Sequence, residues 1–125
     1  MDDHIINTEN LIWAIKNGDF KAVQTVFLNS QFDVNDQLGE RFPLHYAADF
    51  GQLKLLEFFI KIGADVDRKD KYGITPILAA LWEGHTDCVK CLLQQGANRH
   101  GQTPNGQSYA EAADNEEIKS LLESP

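Results

Sequence analysis

The chain has 125 residues, 42% of them hydrophobic and 24% charged, which is the make-up of one ordinary globular domain and not of a disordered segment. Nineteen acids against eleven Lys and Arg leave a formal charge of -8. That balance excludes a basic phosphate-backbone binder and a domain that docks on anionic membranes, and it favours a protein partner with a basic surface.

The N-terminus, Met1-Asp2-Asp3-His4, carries acids where a secretory signal has basic residues, and no long apolar core follows. The longest apolar run, Ile77 to Trp82, falls far short of the roughly 18–20 residues that span a bilayer. The expectation is a cytoplasmic protein, small enough for entry to the nucleus, with Cys88 and Cys91 both reduced, since two cysteines make no disulfide scaffold.

Taken along the chain, one pattern returns every 33 residues. Gly18, Gly51 and Gly84 share that spacing, as do Ala14, Ala47, Ala80 and Ala113, and Val23, Leu56 and Val89. The first unit, about residues 5–35, opens with an irregular arm, lacks a proline and carries an apolar stripe at Val23, Val26 and Phe27. The second, about 36–69, contains Pro43-Leu44-His45-Tyr46-Ala47-Ala48 and the stripe Leu55, Leu56, Phe59 and Ile60, and closes at Gly63. In the third, about 70–102, Thr75 can cap a helix that Pro76 begins, and Val89, Leu92 and Leu93 form the stripe before Gly96. Gly63 and Gly96 suit left-handed helix ends. The fourth, about 103–125, is short: Ala80 to Leu92 is 12 residues whereas Ala113 to Leu121 is 8, which puts four missing residues around the inter-helix turn. Asp33 to Pro43 is 10 residues where Asp65 to Pro76 is 11, so the first connecting finger, Asp36 to Glu40, should be the shorter.

A period of 33 with paired helices, together with Pro43-Leu44-His45-Tyr46-Ala47, Thr75-Pro76-Ile77-Leu78-Ala79 and Gly63-Ala64-Asp65, resembles the ankyrin repeat over nearly the whole chain. The resemblance implies an all-α solenoid of four helix-turn-helix repeats with hairpin-like loops and atypical end repeats, in a single domain. It also implies that His45 hydrogen-bonds backbone within its own repeat, and that Asp33 and Asp65 tie their loops.

No catalytic set stands out, and the chain reads as no enzyme: His45 and Ser108 lack a paired acid at readable spacing. His85, Cys88 and Cys91 fall near one side of a helix, but a zinc site needs more ligands than these, so no metal is expected. Asp65-Val66-Asp67 followed by Asp70 misses the oxygen ligand and glycine of a calcium loop. No cofactor is expected either.

In an ankyrin stack, the residues just before each inner helix's closing glycine face the concave surface. Here they are Lys16 and Asn17, Asp49 and Phe50, and Trp82 and Glu83. Exposed aromatics beside acids are the composition of a protein-binding hot spot. Trp13 belongs to that face or caps the core. Glu40, Tyr46 and Asp114 complete the expected partner-binding set, with Glu40, Asp49 and Glu83 as the acids that meet a basic partner. Within the family, Trp13-Ala14-Ile15-Lys16-Asn17-Gly18, Glu83-Gly84-His85 and Asp114-Asn115 resemble a group of small four-repeat members. That likeness implies a monomer that binds the heterodimeric actin capping protein and keeps it off filament ends, with transcription-factor subunits as a secondary implication. A generic adaptor for a kinase or transcription factor is the other reading, since a fold does not by itself define a function.

Overall fold

The computed structural model describes residues 7–29 and 32–123, so residues 1–6 of the expected N-terminal arm lie outside the described residues. Among the described residues eight helices follow in pairs: α1 (Thr8–Lys16) and α2 (Phe20–Leu28), α3 (Pro43–Asp49) and α4 (Leu53–Lys61), α5 (Pro76–Trp82) and α6 (Thr86–Gln94), α7 (Tyr109–Ala112) and α8 (Glu116–Glu123). The odd helices pack in series as one layer, the even helices as a second, and each pair is joined across the layers. The outcome is the all-α ankyrin solenoid.

Local chemistry explains the helix starts. Thr75 accepts from the Leu78 N–H, and Pro76 follows at the first helical position, where a missing N–H costs nothing. Phe42 stands at the equivalent cap of α3 and makes no side-chain bond there, so Pro43 starts that helix without a polar cap. Ser108 and Glu111 close a reciprocal capping box on α7.

The core runs along the seam between the layers. Val23, Leu55, Leu56, Phe59, Val89, Leu92 and Ile118 are buried in the outer layer, while Ala47, Ala48, Ala79 and Ala80 let the inner helices approach closely. Cys88 and Cys91 belong to this packing as free thiols on the buried face of α6, where burial, and next the Asp87 charge, push Cys88 up to about 12. Leu93 is only partly buried.

Inter-repeat ties recur with the 33-residue period. Gln52 Nε2 donates to the Lys16 carbonyl at 2.9 Å, and His85 Nε2 donates to the Asp49 carbonyl at 3.0 Å. Each tie passes over a glycine with positive φ: a Cβ on Gly18 would meet the Gln52 amide at 2.5 Å, and one on Gly51 would meet the His85 ring at 2.7 Å. The glycine therefore both turns the chain and makes room for the next repeat.

Two sequence expectations are adjusted. Counted from the caps, His85 to Leu92 and Asn115 to Leu122 are the same distance, and Ile118 and Leu122 are the buried residues of α8. Leu122, not Leu121, matches Leu92, so the last repeat lacks three residues where four are expected. The missing turn falls on α7, which is four residues long against seven in α5. The first finger is the shorter one, as expected: Leu38 and Arg41 pair across two residues, whereas Asp70 N–H reaches the Ile74 carbonyl across three.

Candidate functional site

The site is built where the fingers meet the C-terminal ends of the odd helices. Trp13, Phe50 and Trp82 stand 64%, 43% and 46% exposed there. Trp13 therefore does not cap the core, a task that Leu11, Ala14 and Ile15 perform from the other side of α1. Trp82 ends α5 and Glu83 is its C-cap residue, exposed and without an ion pair among the described residues. Asn17 closes α1, its side-chain amide donating to the Trp13 carbonyl at 2.8 Å. Asp114 is exposed in the short link after α7.

Lys16 stretches from α1 toward the second repeat. Its ammonium lies 5.0 Å from the centre of the Phe50 ring and 5.9 Å from that of Tyr46. Each is a cation–π contact that holds an aromatic ring in place. Tyr46 itself is a correction: it is 6% exposed, and its hydroxyl donates to the Leu38 carbonyl at 2.8 Å. The ring supports the first finger from beneath, and burial raises its phenol above the ordinary value. It is a floor for the site and not a contact surface.

The acids are less available than the sequence suggests. Arg41 reaches the Asp49 carboxylate at 3.2 Å and the buried Asp70 carboxylate at 3.5 Å, with its guanidinium over the Tyr46 ring at 5.6 Å. Glu40 accepts from the Tyr72 hydroxyl at 2.9 Å and pairs with Lys71 at 3.6 Å, which joins the first two fingers. Tyr72, 53% exposed, stands beside these acids, and the repeat pattern does not single it out. The only sequence signal was an aromatic at the tip of a finger, in Lys71-Tyr72-Gly73. Glu83 and Asp114 are the acids of the predicted set that carry no internal partner among the described residues.

The remaining motif residues have structural employment. Asp33 and Asp65 accept from the Asn35 and Asp67 N–H groups and tie their loops as expected. His45 is fully buried, and its Nε2 donates at 2.7 Å to the carbonyl of Ile74, which lies in the following repeat and not its own. Burial lowers its pKa, outweighing the Ile74 bond and the nearby Asp70 charge, so the ring is neutral in the fold. Since the folded value lies below that of the free side chain, the unfolded chain takes up the proton first as pH falls below about 6.5, and the fold loses stability there. Thermal melts from pH 7.5 to 5 should show a steeper fall for the unaltered chain than for His45→Gln.

Ser108 is occupied by its capping box and His45 by the Ile74 carbonyl. Among the described residues no group of three or more His, Cys, Asp or Glu side chains could hold a metal, and no helix is long and apolar enough to cross a membrane. The hollow of about 290 Å³ lined by Phe27, Phe32, Asp33, Val34 and Ile62 opens to solvent.

An aromatic, charged face on a stack of short helix pairs defines a protein-interaction module. The model for ankyrin repeats, in three copies, matches residues 11–103, and the chain belongs to that family. It is 48% identical over 115 residues to Myotrophin of Xenopus tropicalis, an alignment covering 91% of this chain and 97% of that protein. Two longer proteins match it over a small part of their own length. Synphilin-1 of Mus musculus is 30% identical over 86% of this chain and 12% of its own length, and Ankyrin repeat and SAM domain-containing protein 6 of the same species is 32% identical over 78% and 11%.

Proposed function

We propose that the protein binds the heterodimeric actin capping protein and so inhibits capping of actin filaments in the cytoplasm. One observation carries this reading: the end-to-end likeness to Myotrophin, at 97% coverage of that protein, joined with an exposed Trp82–Glu83 pair in the place where the sequence resemblance expects the contact surface. Large exposed aromatics beside an unpaired charge are typical binding anchors. The mode of action is occupancy: a stoichiometric binder covers the surface its partner would use on a filament, with no bond made or broken.

Calorimetry of the full chain against purified capping protein tests the reading, with seeded actin assembly as the functional readout. One-to-one binding, relief of capping, and weakening of at least tenfold by Trp82→Ala with Glu83→Ala are expected, since a buried anchor costs about 1.4 kcal/mol or more when truncated. Unchanged capping at high excess of the protein would reject the proposal and leave an ankyrin adaptor of another partner, such as a kinase or transcription factor.

A further inference from the structure

The inner-helix ends carry an ordered set of charges that composition hides. At the first repeat, Lys16 offers an ammonium that no carboxylate neutralises among the described residues; its contacts are the Phe50 and Tyr46 rings. At the second, Asp49 shares the Arg41 guanidinium with the buried Asp70, at 3.2 and 3.5 Å, so its charge is only partly answered and that step is intermediate. At the third, Glu83 stands unpaired beside the half-exposed Trp82, and Asp114 continues the negative end at the fourth. Asp33, Asp36, Asp67 and Lys69, which form no ion pair among the described residues, sit on the connecting segments and not at the helix ends. Neighbouring helices pack about 8–10 Å apart, so Lys16 on α1 and Glu83 at the end of α5 are separated by roughly two such steps. That exceeds the Debye length of about 8 Å at physiological salt, and the two ends do not cancel each other in water.

We infer that this face is polarised along the stack, and that it recognises a protein surface of the opposite polarity, with an acidic side chain over Lys16 and an arginine over Trp82 and Glu83. An arginine suits the second position because its planar guanidinium can stack on the indole while donating to the carboxylate, which a lysine does less well. The polarity sets which way the partner lies on the stack. The inference rests on the sequestration of capping protein proposed above, and it sharpens that reading. A partner that is simply basic would gain from any added acid on the face, whereas a polarised partner would lose from an acid placed at Lys16.

The experiment is calorimetry of the full chain with purified capping protein, using Lys16→Glu, Lys16→Met and Glu83→Lys. Thermal melts serve as the control for folding. Lys16→Met keeps the apolar stem over the rings, and Glu83→Lys places a cation at a helix C-terminus, where it is tolerated. Weakening of about tenfold or more by both charge reversals, and a smaller loss for Lys16→Met, is the expected result. Tighter binding by Lys16→Glu would overturn the polarity while keeping the partner. Indifference to both reversals would also overturn it, moving the contact off the helix ends. Absence of binding by the unaltered chain would overturn the sequestration reading, and this inference with it.

Discussion

Phe59→Ala should lower the stability of the chain by about 3–5 kcal/mol, the range for emptying a fully buried aromatic site. Phe59 lies in α4, in the middle of the outer layer, and is completely enclosed. Its ring meets Phe27 of the preceding repeat edge-on at 5.2 Å and its neighbour Phe58 at 5.9 Å. The Phe27 contact adds to simple burial, because edge-to-face rings attract beyond their area. The position matters as much as the size. A repeat stack is held by nearest-neighbour interfaces, so a weakened second repeat also deprives the first of its support. Circular dichroism melts should show a midpoint lower by more than about 10 °C. Hydrogen exchange should show the first repeat opening with the second. A smaller truncation near the end of the stack, Leu122→Ala, should cost less and leave protection in α4 untouched.

The repeat scaffold was legible because its causes are local and periodic. Gly18, Gly51 and Gly84 recur because each turn needs positive φ, with room for a side chain from the next repeat needed as well at Gly18 and Gly51, and Thr75-Pro76 reports a helix start directly. The exposure of Phe50 and Trp82 was legible for the same reason: the period assigns both to positions that packing does not use. What escaped reading depends on side chains that reach between units. Nothing near Tyr46 in the sequence announces that its hydroxyl will support Leu38, or that Lys16 and Arg41 will lie against its ring. Glu40 and Asp49 look like free acids until Tyr72, Lys71 and Arg41 are brought beside them by the fold. A composition of -8 therefore overstates how acidic the contact face is. The shortening of the last repeat is legible in its spacing but its size is not, because two adjacent leucines offer the same apolar signal and only burial separates Leu122 from Leu121.

Arg41→Met should be nearly as damaging as the loss of Phe59, for an electrostatic reason. The Asp70 side chain is wholly buried; one oxygen accepts from the Tyr72 and Ile74 N–H groups at 2.8 and 3.0 Å, and the other faces Arg41 alone at 3.5 Å. Removing the guanidinium leaves a buried carboxylate with half its surface unanswered, a situation that costs about 3–5 kcal/mol in enclosed pairs. The Arg41 side chain is 21% exposed, so some water can return, and about 2–4 kcal/mol is the expected loss. Asp70→Asn should cost less, because the amide oxygen still serves both backbone donors. The double variant should be less damaging than the sum of the two, and that coupling, read by a double-mutant cycle, separates an electrostatic cause from simple loss of packing. Additivity of the two changes would exclude the charge pair as the source. The same arginine also shields Asp49, so Arg41→Met frees a carboxylate in the middle of the contact face. Under the proposed function, association with capping protein should then become more salt-dependent in this variant, even at temperatures where it remains folded. Arg41 thus links the burial that orders the second finger to the charge pattern of the proposed binding face.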